Sequence, residues 1–213
     1  MKTHLTKEQV QSLPKYDKVN LVNSITGYKS GNLIGTKDAN GNTNLAIFNS
    51  VTHLGSDPAM ITITLRPNTV DRHSYDNMLE QKFFTVNHIN ADIIAQAHQT
   101  AARYPKEVSE FEATGLTENY RDGFFAPFVS ESLIGMGCKY LNSYEIKENG
   151  CIIVVAAIET FYFDDEFLDS DYFLNLHKAK TVAISGLDAY VNAQLLDRFA
   201  YAKPNQPAKS ILE

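Results

Sequence analysis

Residues 44–66 read Asn44-Leu-Ala-Ile-Phe-Asn-Ser-Val-Thr-His-Leu-Gly-Ser-Asp-Pro-Ala-Met-Ile-Thr-Ile-Thr-Leu-Arg66, and this stretch decides the fold. Its first run alternates toward Leu45 and Ile47. Its last run puts Ile61, Ile63 and Leu65 on one face and Thr62, Thr64 and Arg66 on the other, the period-2 pattern of half-buried strands. Between them, Asn49, Ser50, Thr52, His53, Ser56 and Asp57 carry donors and acceptors, and Gly55 and Pro58 shape a turn. A plain connection does not need so many polar groups; a flat ligand rich in heteroatoms does.

Beyond Arg66 comes Asp71-Arg-His-Ser-Tyr-Asp-Asn-Met. Ser74 has the chemistry of a helix N-cap, and Tyr75, Met78, Leu79 and Lys82 follow at helical spacing. Arg72 and His73 flank that N-terminus. Free amides, the positive end of a helix dipole and an arginine make a phosphate site. The alternatives are structural: Ser74 as a cap alone, Arg72 paired with a carboxylate, Ser50 and Thr52 in strand-end hydrogen bonds, and Asp57-Pro58 as a simple turn.

The order of these blocks, continued by Phe83-Phe-Thr-Val-Asn-His88, resembles the flavin reductase-like (flavoredoxin-type) branch of the FMN-binding split-barrel proteins. Ser109-Glu-Phe-Glu-Ala-Thr-Gly-Leu-Thr117, Glu131-Ser-Leu-Ile-Gly-Met-Gly-Cys-Lys139, Gly186-Leu-Asp-Ala-Tyr190 and Tyr201-Ala-Lys-Pro204 extend the likeness over nearly the whole chain. The resemblance implies a mainly β fold with helices, a split β-barrel of Greek-key type. It further implies non-covalent FMN, a homodimer, and NADH or NADPH as a transient co-substrate. Carried onto this chain, Asn49, Ser50, Val51 and Thr52 would meet the ring and ribityl, and His53, Ser56 and Asp57 the ribityl or phosphate end. Arg66, Arg72, His73 and Ser74 would supply the phosphate contacts. The chemistry would be the cofactor's: hydride passes between stacked rings, so no dedicated catalytic base is expected. The alternative is an FMN-binding electron carrier without nucleotide turnover. A related oxidase acting on a vitamin B6 phosphate fits the block order less well.

The coarse pattern agrees with a barrel. Strands are predicted near 19–26, 31–37, 43–49, 59–66, 83–89, 132–147, 151–163 and 181–185, with a long hairpin turning at Lys147-Glu-Asn-Gly150. Helices are predicted near 74–82, 91–103 and 106–114, with Pro105 in the first turn of the last and Gly115 as its C-cap. Several strands with few helices favour a closed antiparallel architecture over a doubly wound sheet. The expected layout is an N-terminal extension at 1–18, one domain at 19–204, and a tail at 205–213 that is a loose end or a dimer arm.

Composition sets limits. With 213 residues the chain can bury a core without staples. Nineteen basic and 25 acidic residues give a net charge of −6, and no basic run argues for nucleic acid or anionic membrane. Neither a secretory h-region nor an 18-residue apolar segment is present, so a cytoplasmic protein is expected. Cys138 and Cys151 read as reduced core thiols rather than a redox pair. Gly135-Met-Gly137 is only a fragment of a dinucleotide fingerprint, so no Rossmann domain is expected. The six histidines form no metal-ligand pattern, and His88 and His98 read as structural. Ser185-Gly186 is no nucleophile elbow. The aromatic segment 104–130, with Tyr104, Phe111, Tyr120, Phe124, Phe125 and Phe128, reads as a packed lid or dimer contact in preference to a substrate surface. Arg103 and Arg121 lie in or beside it as possible phosphate contacts.

Overall fold

The computed structural model describes residues 2–67 and 72–212. Asp71, at the head of the Asp71–Met78 stretch, therefore lies outside the described residues. In chain order the elements are α1 (Lys7–Ser12), α2 (Lys15–Ile25), β1 (Lys29–Ser30), β2 (Asn32–Lys37), β3 (Thr43–Phe48), β4 (Val51–Ser56) and β5 (Ala59–Leu65). Then come α3 (His73–Gln81), β6 (Phe83–His88), α4 (Ile94–Gln99), α5 (Glu110–Thr114), β7 (Glu118–Asn119) and β8 (Phe128–Val129). The chain ends with β9 (Ile134–Glu145), β10 (Ile152–Phe163), β11 (Val182–Ser185) and β12 (Ala189–Asn192).

Seven strands form one antiparallel sheet in the order β3-β2-β6-β9-β10-β5-β4. Its two edge strands, β3 and β4, are joined in sequence by Asn49 and Ser50 alone. Two residues cannot span an open seven-stranded sheet whose neighbours lie about 4.8 Å apart. The sheet must curl until its edges meet, and no β3–β4 ladder forms among the described residues. The result is a barrel with one open seam.

The inner face closes over Ile34, Ile61, Ile63, Leu65, Phe84, Val86, Val154 and Ala156, with Tyr75 and Met78 of α3 plugging one end. A second cluster, including Leu33, Leu45, Ile93, Phe111 and Val129, seals α4 and α5 against β3. The β9–β10 hairpin turns where expected: the Ile146 N–H donates to the Cys151 carbonyl at 2.7 Å, and Gly150 takes a φ of 70°, the left-handed region that glycine enters without steric cost. A small sheet of β1, β11 and β12 lies outside the barrel.

Several sequence expectations are corrected. Residues 19–25 continue α2 instead of forming a strand. Pro14 at the N-cap and Asp17 in the first turn are helix-start signals that outrank the alternation of Val19 and Leu21. The polar connection after Phe48 is itself largely a strand, β4, paired with β5 and turning at Ser56-Asp57-Pro58-Ala59. The helix predicted over 91–103 is a 3-10 turn, Ala91–Ile93, followed by the short α4. The one predicted over 106–114 starts only after Ser109, though Gly115 does close it in the left-handed region. Among the described residues no helix is long and apolar enough to cross a membrane.

Candidate functional site

The outer face of β5 alternates as the sequence requires. Because Ile61, Ile63 and Leu65 point into the barrel, Thr62 and Thr64 must point out. Register then aligns them with polar residues of β4 on one side and apolar residues of β10 on the other. Thr52 faces Thr62, their hydroxyls 3.0 Å apart. Ser50 donates its hydroxyl to the Thr64 carbonyl at 2.7 Å, and its own carbonyl accepts the Thr64 N–H. Across the other edge of β5, Val155 pairs with Thr62 and Ile153 with Thr64. Asn142 and Tyr144 of β9 extend these two rows. The face is thus a ladder of hydroxyls beside a half-buried aliphatic platform.

Asn49 and Val51 hold the seam rather than line this ladder. The Asn49 amide donates to the Gly186 carbonyl at 3.2 Å, and the Val51 carbonyl accepts from the Ser30 hydroxyl at 3.0 Å. The Val51 side chain packs on the inner core, which leaves only its backbone for a ligand.

Arg66 and Arg72 meet at the end of β5 remote from the hairpin tip. The Arg72 Nη2 donates to the Pro67 carbonyl at 2.9 Å, while its buried Nε has no partner among the described residues. Burial first, and then the nearby charge of Arg66, push the Arg72 guanidinium below its ordinary value; an arginine still stays protonated. Neither arginine forms an ion pair with a carboxylate among the described residues. Two cations left without anions, one with an unused buried donor, fit an incoming phosphate.

The other predicted residues lie elsewhere. His53 and Ser56 bond to each other at 3.0 Å beside the tip that Asp57 and Pro58 form. Strand rise puts that tip about 25 Å from Arg66, so the two groups cannot grip one phosphate. Ser74 is not the N-cap: Arg72 holds that position, and Ser74 is buried inside α3, accepting from the Asn44 amide at 2.8 Å. His73 turns into a small polar pocket with Asp38, Asn42, Asn44, Asn77 and Lys106. Beside it the buried Glu110 carboxylate accepts the Leu45 N–H at 2.9 Å; burial raises its pKa.

Thr62 and Thr64 are absent from the residues the sequence singles out, although their outward alternation on β5 was the available signal. The aliphatic platform had none, because it depends on which strand neighbours β5. The aromatic segment is largely packed: Phe111 and Phe128 are buried, Phe124 lies edge-on to Phe83, and Arg121 stacks on Phe128 and Tyr162. Cys138 is buried, while Cys151 is only half-buried at the hairpin; both are free thiols. His98 bonds Tyr190 at 2.9 Å, as a structural histidine should. His88 departs from that expectation, with an enclosed Nδ1 that has no partner among the described residues.

Residues 26–183 match the family model described as flavin reductase like domain. Among solved structures, the chain is similar to a candidate flavin reductase with a split barrel domain from Shewanella frigidimarina NCIMB 400. That match has 43% identity and a TM-score of 0.91, over 94% of this chain and 100% of the other. It also resembles nitrilotriacetate monooxygenase component B from Bacillus cereus, with 16% identity and a TM-score of 0.81, covering 93% and 98%. A third match is the flavoredoxin of Desulfovibrio vulgaris (Miyazaki F), with 20% identity and a TM-score of 0.69, covering 84% and 91%. The last two likenesses concern the fold alone.

Proposed function

Because the chain belongs to the flavin reductase-like family, we propose that it is an FMN-dependent oxidoreductase, working as a cytoplasmic homodimer. It would take hydride from NADH or NADPH and deliver electrons to free flavin or another small acceptor. The observation that carries the reading is the Nε of Arg72, unpartnered among the described residues, beside Arg66 at the end of a hydroxyl-lined strand face.

Each part of that face has a role. Ser50, Thr52, Thr62 and Thr64 offer hydroxyls to the heteroatom edge of a flat ring, and Ile153 and Val155 offer it an apolar bed. Asn49 and Val51 fix the backbone at the seam so that its amides stand in place. Arg66 and Arg72 neutralise the phosphate, while His73 stays turned into the polar pocket beside Asp38 and Lys106. His53, Ser56 and Asp57 stay at the tip, out of reach of that phosphate. When bound, the flavin supplies the two-electron acceptor, and the protein's contribution is placement and exclusion of water.

The test is an anaerobic absorbance titration of FMN-reconstituted protein with NADH and then NADPH. Flavin bands that bleach within seconds support a nicotinamide-dependent reductase, and the faster donor gives the preference. Bound flavin that stays yellow with both favours the electron-carrier reading. Protein that takes up no FMN removes both.

A further inference from the structure

Four buried polar side chains meet where α3 crosses the β2–β3 pair. Thr36 of β2 and Asn44 of β3 oppose each other in the ladder, so their side chains share one face of the sheet. Ser74 and Asn77 stand three residues apart on α3, which puts them one above the other on a single helix face. The Asn44 amide donates to the Ser74 hydroxyl at 2.8 Å, and the Asn77 amide donates to the Thr36 hydroxyl at 3.0 Å. Two residues paired across strands thus bind two residues paired along a helix. The donor lies on the strand in one bond and on the helix in the other.

Burying such groups is unfavourable unless each finds its partner in place. Apolar packing is more tolerant. Tyr75 and Met78 plug the barrel end among Ile34, Phe84 and Val86, and a non-directional contact of this kind survives a small turn of the helix. The polar square does not. With side chains a helix has a radius of about 5–6 Å, so a turn of about 20° moves a side-chain tip by about 2 Å. A hydrogen bond has no such latitude. A further tether comes from β9, where the Tyr75 hydroxyl lies 3.0 Å from the Ser143 hydroxyl, which also accepts from Tyr140 at 2.9 Å. Directional bonds from β2, β3 and β9 therefore fix the rotation and height of α3.

What α3 carries into the candidate site is Arg72. The Arg72 carbonyl accepts the Tyr75 N–H at 2.8 Å and the Asp76 N–H at 3.0 Å, so its backbone moves with the first turn. No side-chain cap holds this helix start independently. The Arg72 guanidinium, meanwhile, reaches Pro67 at the end of β5, and β6, β9 and β10 separate β5 from the β2–β3 pair in the sheet. A helix anchored on one side of the barrel thus sets the place of a cation on the other.

We propose that Thr36, Asn44, Ser74 and Asn77 are positioning residues for the phosphate grip: the square fixes α3 so that the Arg72 guanidinium stands where a flavin phosphate arrives beside Arg66. This role rests on the flavin reading given under the proposed function. All four side chains act through Arg72, and none meets the ligand.

Both members of each bond can be removed without leaving a buried group unpaired. Thr36→Val with Asn77→Leu, and Asn44→Leu with Ser74→Ala, replace each bonded pair by apolar groups of similar shape, a change that is nearly neutral for stability. Fluorescence titration of this fourfold variant with FMN, and with riboflavin, which lacks the phosphate, separates positioning from general damage. FMN affinity should fall by about tenfold while riboflavin affinity stays at the wild-type level, so that the preference for FMN drops toward that of Arg72→Ala. Adding the four changes to Arg72→Ala should weaken FMN no further. Equal weakening of both flavins, or no change in either, overturns the positioning role. So does a loss of FMN affinity that recurs undiminished in the Arg72→Ala background. Should the fourfold variant fail to fold, Thr36→Val with Asn77→Leu alone is held to the same outcomes. If Arg72→Ala itself leaves the preference for FMN unchanged, the phosphate reading falls and the positioning role with it. A normal Arg72→Ala effect beside an unmoved fourfold variant removes the positioning role alone.

Discussion

Truncating Arg72 to alanine removes a guanidinium whose Nη2 holds the Pro67 carbonyl and whose Nε has no partner among the described residues. A charge-assisted contact to phosphate is worth about 1.5–3 kcal/mol, so fluorescence titration should show FMN affinity falling by about tenfold or more. Unchanged affinity in a folded variant would move the phosphate elsewhere. His88, half-buried with its Nδ1 enclosed, makes a different prediction. Burial lowers its pKa to about 4, against about 6.5 in the unfolded chain. Between these values the unfolded state binds the extra proton, so stability rises with pH, and it drains away as pH falls from 6.5 toward 4. The loss should be on the order of 2–3 kcal/mol in denaturant titrations, and His88→Phe should flatten this part of the profile. The sequence made Arg72 legible through its place before a helix. It could not reveal His88's missing partner, because strand-end position says nothing about what lies across the barrel.

At the level of elements, the two glycines of β9 explain how the aromatic cap sits so close to the sheet. A Cβ on Gly137 would stand 2.5 Å from the Thr160 Cγ2 and 2.7 Å from the Phe124 ring. The Phe124 ring cannot retreat freely, since it is wedged against Phe83 and Phe128. Gly137→Ala should therefore cost about 1–3 kcal/mol through overpacking, read as a lower denaturation midpoint with an unchanged slope. An unshifted midpoint would mean that the cap is loose. Sequence reasoning found β2, β3, β5, β6, β9, β10 and α3 within a residue or two, because each carries a clean period of its own. It missed β4, whose Thr52, His53 and Ser56 look like turn chemistry until pairing with β5 makes them a strand. It misread α2, whose apolar residues face no core of their own chain and so follow no clear helical face. The errors cluster where packing comes from elsewhere than the adjacent sequence.

The whole molecule poses a question that no single strand answers, namely which edge is weak. In the order β3-β2-β6-β9-β10-β5-β4, the strands β6 and β9 are paired on both sides, so their amides open only with the whole barrel. The two edges differ. On β3 the Glu110 carboxylate takes the outward Leu45 N–H, and α5 packs over it through Phe111. On β4 the outward carbonyl of Val51 is held by the exposed Ser30, and the strand beyond carries a bulge between His53 and Gly55. The seam should therefore open from the β4 side. Native-state hydrogen exchange should find β6 and β9 slowest, β3 intermediate, and β4 from His53 onward fastest. Added FMN should slow β4 and β5 selectively, because a ligand protects the segment it holds, while β6 and β9 should move only with global stability. Equal protection of both edges without ligand would mean that the barrel closes at the seam. Slowing confined to β2 and β3 would place the ligand on the opposite edge, and the hydroxyl ladder would then be a surface without an occupant.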